Sequence, residues 1–228
     1  MVASWRENST WKCKISLRRS LDFEIIESRE LTHETLTEVH RALTLTHRIL
    51  GTHRYVIRLI KSAKAERVLD LGCGKGDLLV AIRSATGAQV VGVDIAGLTA
   101  RPGCTAFVLN AVHDPLPEAD VATALFLTHH LSEEDVIRLI QNVRRTCRRL
   151  IVVDLVRHRL PLVLFRVFLA PWLPPINAAD GATSIRRAFT FEEFQALVER
   201  ALAGTRSRVK SHMGWAKTRM VFDMEFLE

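Results

Sequence analysis

From Glu66 onward, short apolar runs alternate with stretches whose apolar residues recur every three or four positions. That is the signature of strands and helices in alternation. Arg67 to Leu71, Gln89 to Val93, Ala106 to Leu109, Val121 to Leu127 and Leu150 to Val153 read as strands, with a helix over Asp77 to Ser84 between the first two. Ser132-Glu-Glu-Asp135 is a capping box that opens a helix to about Arg148, with Val136, Leu139, Ile140 and Val143 on its inner side. A second box, Thr190-Phe-Glu-Glu193, starts a helix that turns Phe194, Leu197, Val198 and Leu202 inward and stops at Gly204. Two further strands are expected near Arg206 to Ser211 and Arg219 to Phe226. The fold class is therefore α/β, a seven-stranded, mostly parallel sheet with helices on both faces.

Ahead of this alternation, Leu36, Val39, Leu43 and Leu50 sit at helical spacing in a predicted helix from Leu31 to Leu50, ended by Gly51, and a second helix is expected from His53 to Ala63. Residues 1–64 thus form an N-terminal helical cap, its first thirty residues poorly periodic, and residues 65–228 one compact domain. The link from Ile95 to Thr105 contains Gly97, Pro102 and Gly103 and is near the lower limit for a parallel crossover, so it predicts a turn or a short stub.

The first strand runs into Asp70-Leu-Gly72-Cys73-Gly74-Lys75-Gly76, and the second ends on Asp94. Glycines at this bend allow positive φ and let a ligand approach with no Cβ in the way. A carboxylate at the second strand's end accepts hydrogen bonds where a ribose diol would lie. A dinucleotide site has G-x-G-x-x-G and a helix N-terminus facing a pyrophosphate. Here the pattern is an acid followed by G-x-G-x-G, and the Asp70 carboxylate would repel phosphate but welcome an ammonium group.

This segment resembles motif I of the class I S-adenosylmethionine-dependent methyltransferases, a Rossmann-like family, and Asp94 matches the acid of their second strand. The resemblance implies S-adenosylmethionine as cofactor, held by Asp70, Gly72, Cys73, Gly74, Gly76, Asp94 and Ile95. Asn110-Ala111, after the third strand, matches the place where such enzymes hold the adenine amino group, and Leu127 borders the adenine or sulfonium.

Ligands of open α/β sheets gather beyond the carboxyl ends of the strands. There the chain offers Thr128-His129-His130 after the fourth strand and a long insertion, Leu155 to Ala188, after the fifth. Leu125 to Leu131 resembles the corresponding segment of small-molecule methyltransferases. In ubiquinone-type O-methyltransferases that segment carries metal-binding acids; Phe126 and His129 stand in their place here, so no metal is expected. His129 or His130 is a candidate base for a phenol or enol proton; the other reading is a backbone cap and a packed ring, with alignment alone driving transfer. Together with Asp154-Leu-Val-Arg157 and the run from Asp180 to Thr190, the segment resembles the methyltransferases found beside type III polyketide synthases and the quinone-biosynthesis methylases. That implies small, phenolic or quinol, lipophilic acceptors methylated on oxygen or carbon, a place in secondary metabolism, and Arg157, Arg186 and Arg187 as candidates for the acceptor's oxygens, or for holding the loop through Asp180 or Asp154.

The stretch from Leu160 to Ile176 is strongly apolar but broken by Arg166 and four prolines, too interrupted to span a bilayer. It reads as buried core, as a lid over a greasy acceptor, or as a transient contact with a membrane surface. His33, His40 and His47 repeat every seventh position, but a displacement of roughly 10.5 Å along a helix is too great for one zinc.

Composition narrows the alternatives. The net charge of +7, from 32 Lys and Arg against 25 Asp and Glu, raises an RNA or protein methyltransferase as a rival. The basic residues are dispersed, with no aromatic-interleaved stripe, which argues against nucleic acid. A non-catalytic, methyltransferase-like binding subunit is the other alternative. Cys13, Cys73, Cys104 and Cys147 have no C-x-x-C spacing, and Met1 to Arg19 has no apolar leader core, so a reduced, cytoplasmic protein is expected.

Overall fold

Strand Arg67–Leu71 (β1) shows why the sheet lies at the centre of the molecule. Val68, Leu69 and Leu71 are at most 1% exposed, so adjacent residues on opposite faces are all covered, as in a parallel sheet flanked by helices on both sides. The computed structural model describes residues 17–20, 22, 24, 25, 35, 39, 51–96 and 102–227. Helix α1 (Thr52–Ala63) precedes β1. Then come α2 (Asp77–Thr86), β2 (Gln89–Asp94), β3 (Thr105–Val108), β4 (Ala119–Leu125), α3 (Glu133–Arg144) and β5 (Cys147–Leu155). The insertion holds α4 (Arg159–Leu164) and α5 (Pro175–Arg187), and α6 (Phe191–Ala201), β6 (Ser207–Met213) and β7 (Arg219–Phe226) complete the chain. The strand order is β3-β2-β1-β4-β5-β7-β6, all parallel except for β7, which runs antiparallel to both β5 and β6. The seven-stranded, Rossmann-like sheet expected from the sequence is the one observed.

Two cores flank it. On one face Leu69, Leu71 and Val93 pack with Val136, Leu139 and Ile140 of α3 and Phe194, Leu197 and Val198 of α6. On the other, Val68, Val90, Ile151 and Val153 pack with Val56 and Ile60 of α1 and Leu78, Leu79 and Ile82 of α2. The expected boundary at residue 64 falls between α1 and β1, yet α1 shares the sheet's own core. Of the helix expected from Leu31 to Leu50, Thr35 and Val39 are helical; Leu36, Leu43, Leu50 and the three repeating histidines lie outside the described residues, as does most of the link after Ala96. Of the two capping boxes, the one at Thr190 forms in full and the one at Ser132 only in its N-cap half, the Asp135 carboxylate accepting the Ser132 hydroxyl at 2.9 Å. Ser132 Oγ accepts the Asp135 N–H at 3.1 Å, and Thr190 and Glu193 cap each other reciprocally at 3.2 and 3.0 Å.

Several elements differ from the periodic reading. Helix α3 stops at Arg144, four residues early, because Cys147 and Arg149 join β5 opposite Ala119 and Val121 of β4. Arg149 is tolerated there because its guanidinium grips both Asp223 carboxylate oxygens on β7 at 2.6 Å. Strand β4 ends at Leu125 rather than Leu127, since Phe126 takes a left-handed φ of 51°. The insertion is largely helical: α4 continues through a π turn (Phe165–Leu169) and a 3-10 turn (Ala170–Trp172), then Pro175 starts α5. Gly181 lies mid-helix in α5 because Phe165 packs there; a Cβ would sit 2.3 Å from its ring.

Gly92, on β2, is required by packing: its Cβ would meet Cys73 Sγ at 2.5 Å and Leu79 Cδ1 at 2.8 Å. Gly92→Ala should therefore cost about 1–3 kcal/mol of stability. Denaturant titration should show a lower midpoint with an unchanged slope.

Candidate active site

The turn between β1 and α2 is built from three left-handed glycines, Gly72, Gly74 and Gly76, with φ of 68°, 51° and 76°. It curls onto the end of β2: the Gly72 and Cys73 N–H groups donate to Val93 O at 2.8 and 3.2 Å, and the Gly76 N–H donates to Cys73 O at 2.9 Å. Asp94 Oδ2 accepts the Gly74 N–H at 3.0 Å and Oδ1 accepts the Ala96 N–H at 2.8 Å. Each oxygen keeps a second lone pair for a ligand hydroxyl. A Cβ on Gly74 would meet nothing within 4 Å, whereas one on Gly72 would sit 3.0 Å from Leu127 Cδ1. The loop is thus a cradle, open above Gly74 and walled by Leu127.

Asp70 lies beneath it, 3% exposed, accepting the Thr123 Oγ1 hydrogen at 2.7 Å. Burial pushes its carboxyl up to about 7; the Thr123 bond opposes that and the Asp94 charge adds to it. Cys73 is pushed up to about 12 by burial and by both carboxylates, which leaves it an unreactive thiol. Beyond β3, Asn110 Oδ1 accepts the Val112 N–H at 2.9 Å, and Asn142 Nδ2 donates to the Ala111 and Asp114 carbonyls at 2.9 Å. This fixes the turn expected to border the adenine. Ile95, 73% exposed, stands at its rim.

At the carboxyl end of β4, the bend at Phe126 sends Thr128–His130 into a 3-10 turn over the end of β5. There Asp154, 0% exposed, accepts from Thr128 Oγ1 at 2.5 Å, the His129 N–H at 3.0 Å, His129 Nδ1 at 2.7 Å and the Leu155 N–H at 2.7 Å. The Nδ1 bond leaves Nε2 as the free face of the ring, and Nε2 lies 3.7 Å from Glu24 Oε1, which also accepts from Ser184 Oγ at 2.5 Å. Burial works to lower the His129 pKa, but the charge and hydrogen bond of Asp154, with the Glu24 charge, outweigh it and hold the imidazole above its ordinary range. Asp154 is likewise held low against its burial by His129, Thr128 and the Leu155 amide. His130 stacks beside His129 with ring centroids 4.0 Å apart. The polar atoms of Glu24, His129 and His130 gather within 4.8 Å, close enough to share one hydroxyl or one cation.

The three candidate arginines separate. Arg157 is spent on the fold: it donates to Leu17 O, Ala188 O and Glu193 Oε1 at 2.8, 2.7 and 2.5 Å, tying an N-terminal strap, the described residues between Leu17 and Ile25, to the start of α6. Arg187 is buried, and its charge acts on His129. Arg186 keeps a buried Nε with no hydrogen-bond partner. Sequence reasoning missed Thr123, Glu24 and Arg19. Arg19 lies over the Phe189 ring at 3.7 Å and donates to Leu131 O at 2.7 Å and Arg187 O at 2.7 Å. The Asp154 partnership with His129 had a signal in the sequence, because neighbouring parallel strands bring their carboxyl ends together. Glu24 had none.

A family profile described as a methyltransferase domain matches residues 34–175. The chain is 29% identical over 150 residues to the 2-phytyl-1,4-naphtoquinone methyltransferase of Synechococcus elongatus, a match that covers 58% of this chain and 64% of that protein. Among solved structures, it superposes on the plantazolicin methyltransferase BpumL with a TM-score of 0.64 at 12% identity, covering 83% of this chain and 90% of that one. On human N-acetylserotonin methyltransferase the TM-score is 0.59 at 15% identity, with 92% and 63% covered. These likenesses show the fold, and the profile, matched over more than half of the chain, shows the family. The chain therefore belongs to the class I S-adenosylmethionine-dependent methyltransferases.

Proposed function

We propose that the enzyme methylates a small, lipophilic phenol or quinol, on oxygen or on an activated ring carbon. The observation that carries this reading is the buried Asp154–His129 pair with Glu24 across from it. When bound, S-adenosylmethionine would supply an electrophilic methyl on a sulfonium, which an acceptor nucleophile would take in line as the carbon–sulfur bond breaks and the neutral thioether leaves. An acceptor hydroxyl about 2.8 Å from His129 Nε2 would donate to it, and His129 would take its proton as the new bond forms, with the Glu24 carboxylate across from it stabilising the imidazolium. His130 packs this ring in place. Arg187 supplies positive charge nearby, and Arg186 is the remaining donor for an acceptor oxygen. On the cofactor side Asp94 receives the ribose hydroxyls and Asp70 the ammonium, with Asn110, Ala111 and Ile95 at the adenine. The name of the Synechococcus relative fits a quinone-like acceptor. Such an acceptor dissolves in lipid, so the reading includes contact with a membrane surface. It also includes a reducing compartment, since Cys73, Cys104 and Cys147 are free thiols.

The direct test incubates purified protein with labelled S-adenosylmethionine and a panel of alkylresorcinols, quinols and RNA. Methylated phenols support the reading; salt-sensitive labelling of RNA alone would replace it. His129→Gln should lower turnover roughly 10²–10⁴-fold with cofactor affinity unchanged. Because the imidazole is held above its ordinary range, the rising limb of kcat/KM should lie above pH 6.5. Asp154→Asn should move that limb to lower pH. Chelators should leave the rate unchanged.

Cofactor affinity carries its own pH dependence. A raised carboxyl favours the free fold at low pH and loses that contribution as pH rises through about 7. The ammonium group needs the ionised form. Affinity should therefore climb by up to roughly tenfold per unit between about pH 6 and 7 and then level off, with proton release visible in calorimetry. In Asp70→Asn the slope should vanish, and in Asp94→Ala binding itself should weaken.

A further inference from the structure

The outward side of the insertion is apolar where a surface helix is normally polar. Arg159–Trp172 is a nearly continuous helical stretch that turns Leu162 and Phe165 inward against Ala182 and Ile185 of α5. On the opposite side Leu160, Val163, Val167, Phe168 and Trp172 follow one another at helical spacing, 42%, 55%, 56%, 64% and 87% exposed. A contiguous face of this kind marks an interaction site. Its rim is basic: between Asp154 and Asp180 the chain has no acidic residue, and Arg159 and Arg166 are exposed beside the face. Lys217 comes close on a neighbouring turn, where its charge acts on His158.

We infer that this face docks on an anionic phospholipid surface. The inference rests on the lipophilic acceptor argued above and names where the enzyme would meet it. Aromatic and aliphatic side chains would enter the acyl boundary while the arginines meet phosphate headgroups. A second copy of the chain fits less well, because pairing this face with itself would bring four arginines to an interface with no acidic residue from the same stretch to neutralise them. The stretch lies on a bilayer rather than crossing it. No helix among the described residues is long and apolar enough to span, and Arg159–Trp172 would rise only about 21 Å against a core of ~30 Å. Helix α5, on which the stretch rests, packs against the Thr128–His130 turn. Docking therefore brings the histidine end of the cleft near the lipid.

The test is vesicle flotation of the full chain with phosphatidylcholine alone and with added phosphatidylglycerol, for the wild type, Phe168→Ser/Trp172→Ser and Arg159→Glu/Arg166→Glu. Binding only to the anionic vesicles, weakened roughly tenfold or more in both variants and by high salt, is the expected result. Cofactor affinity and turnover of a water-soluble, short-chain phenol should stay unchanged, so failure of docking and failure of the acceptor reading appear in separate assays. Equal binding to neutral and anionic vesicles, or variants that bind as the wild type does, would overturn the inference. So would absence of vesicle binding, with or without a dimer that Phe168→Ser/Trp172→Ser dissolves.

Discussion

The turn after β4 depends on one buried carboxylate. Asp154, at the end of β5, has no exposure and four donors: the Thr128 hydroxyl, the His129 amide, the His129 ring and the Leu155 amide. An unpaired carboxylate in such a place would be prohibitively costly. Fully hydrogen-bonded, it fixes the turn after β4 to the adjacent strand and selects which ring nitrogen of His129 is presented. The left-handed bend at Phe126 is the backbone counterpart, since its N–H remains on Val153 O at 2.9 Å while the chain turns away. Such a bend in a non-glycine residue persists only where surrounding contacts over-determine it.

A second layer closes over this turn from far along the chain. Arg19 reaches the Leu131 and Arg187 carbonyls, the Ile25 N–H donates to Asp180 at 2.7 Å, the Ser20 N–H donates to Arg186 O at 3.1 Å, and Ser184 holds Glu24 in front of His129. The strap is fastened mainly by polar bonds, many of them to backbone carbonyls. Its position is therefore specified by geometry rather than by hydrophobic content.

How much of this was legible follows from how local each feature is. The cradle was readable because Asp70, three glycines and Asp94 lie close together in sequence and each does its work on its own strand or turn. The helix starts at Ser132 and Thr190 were readable for the same reason. Strand β5 was under-read at Cys147 and Arg149 because a charged residue enters a strand only when something neutralises it, and Asp223 is 74 positions away. Helix α5 was not announced because Gly181 interrupts its middle, a choice made by the Phe165 ring rather than by helix propensity. Glu24 falls in a stretch with no periodicity, and its meaning exists only once α5 and the Thr128–His130 turn are beside it.

The division between the two ends of the cleft has an evolutionary side. The cradle is encoded within one β-α-β unit, and its hydrogen bonds stay inside it, apart from the Thr123 contact. The proposed acceptor end is assembled from the strap, the turn after β4 and the insertion, segments joined by bonds that span more than a hundred positions, such as Arg19 to Leu131. Mutations that remodel the strap and insertion can accumulate without touching the half proposed to bind the methyl donor. A lineage built on this plan can thus change what it methylates while what it methylates with stays constant.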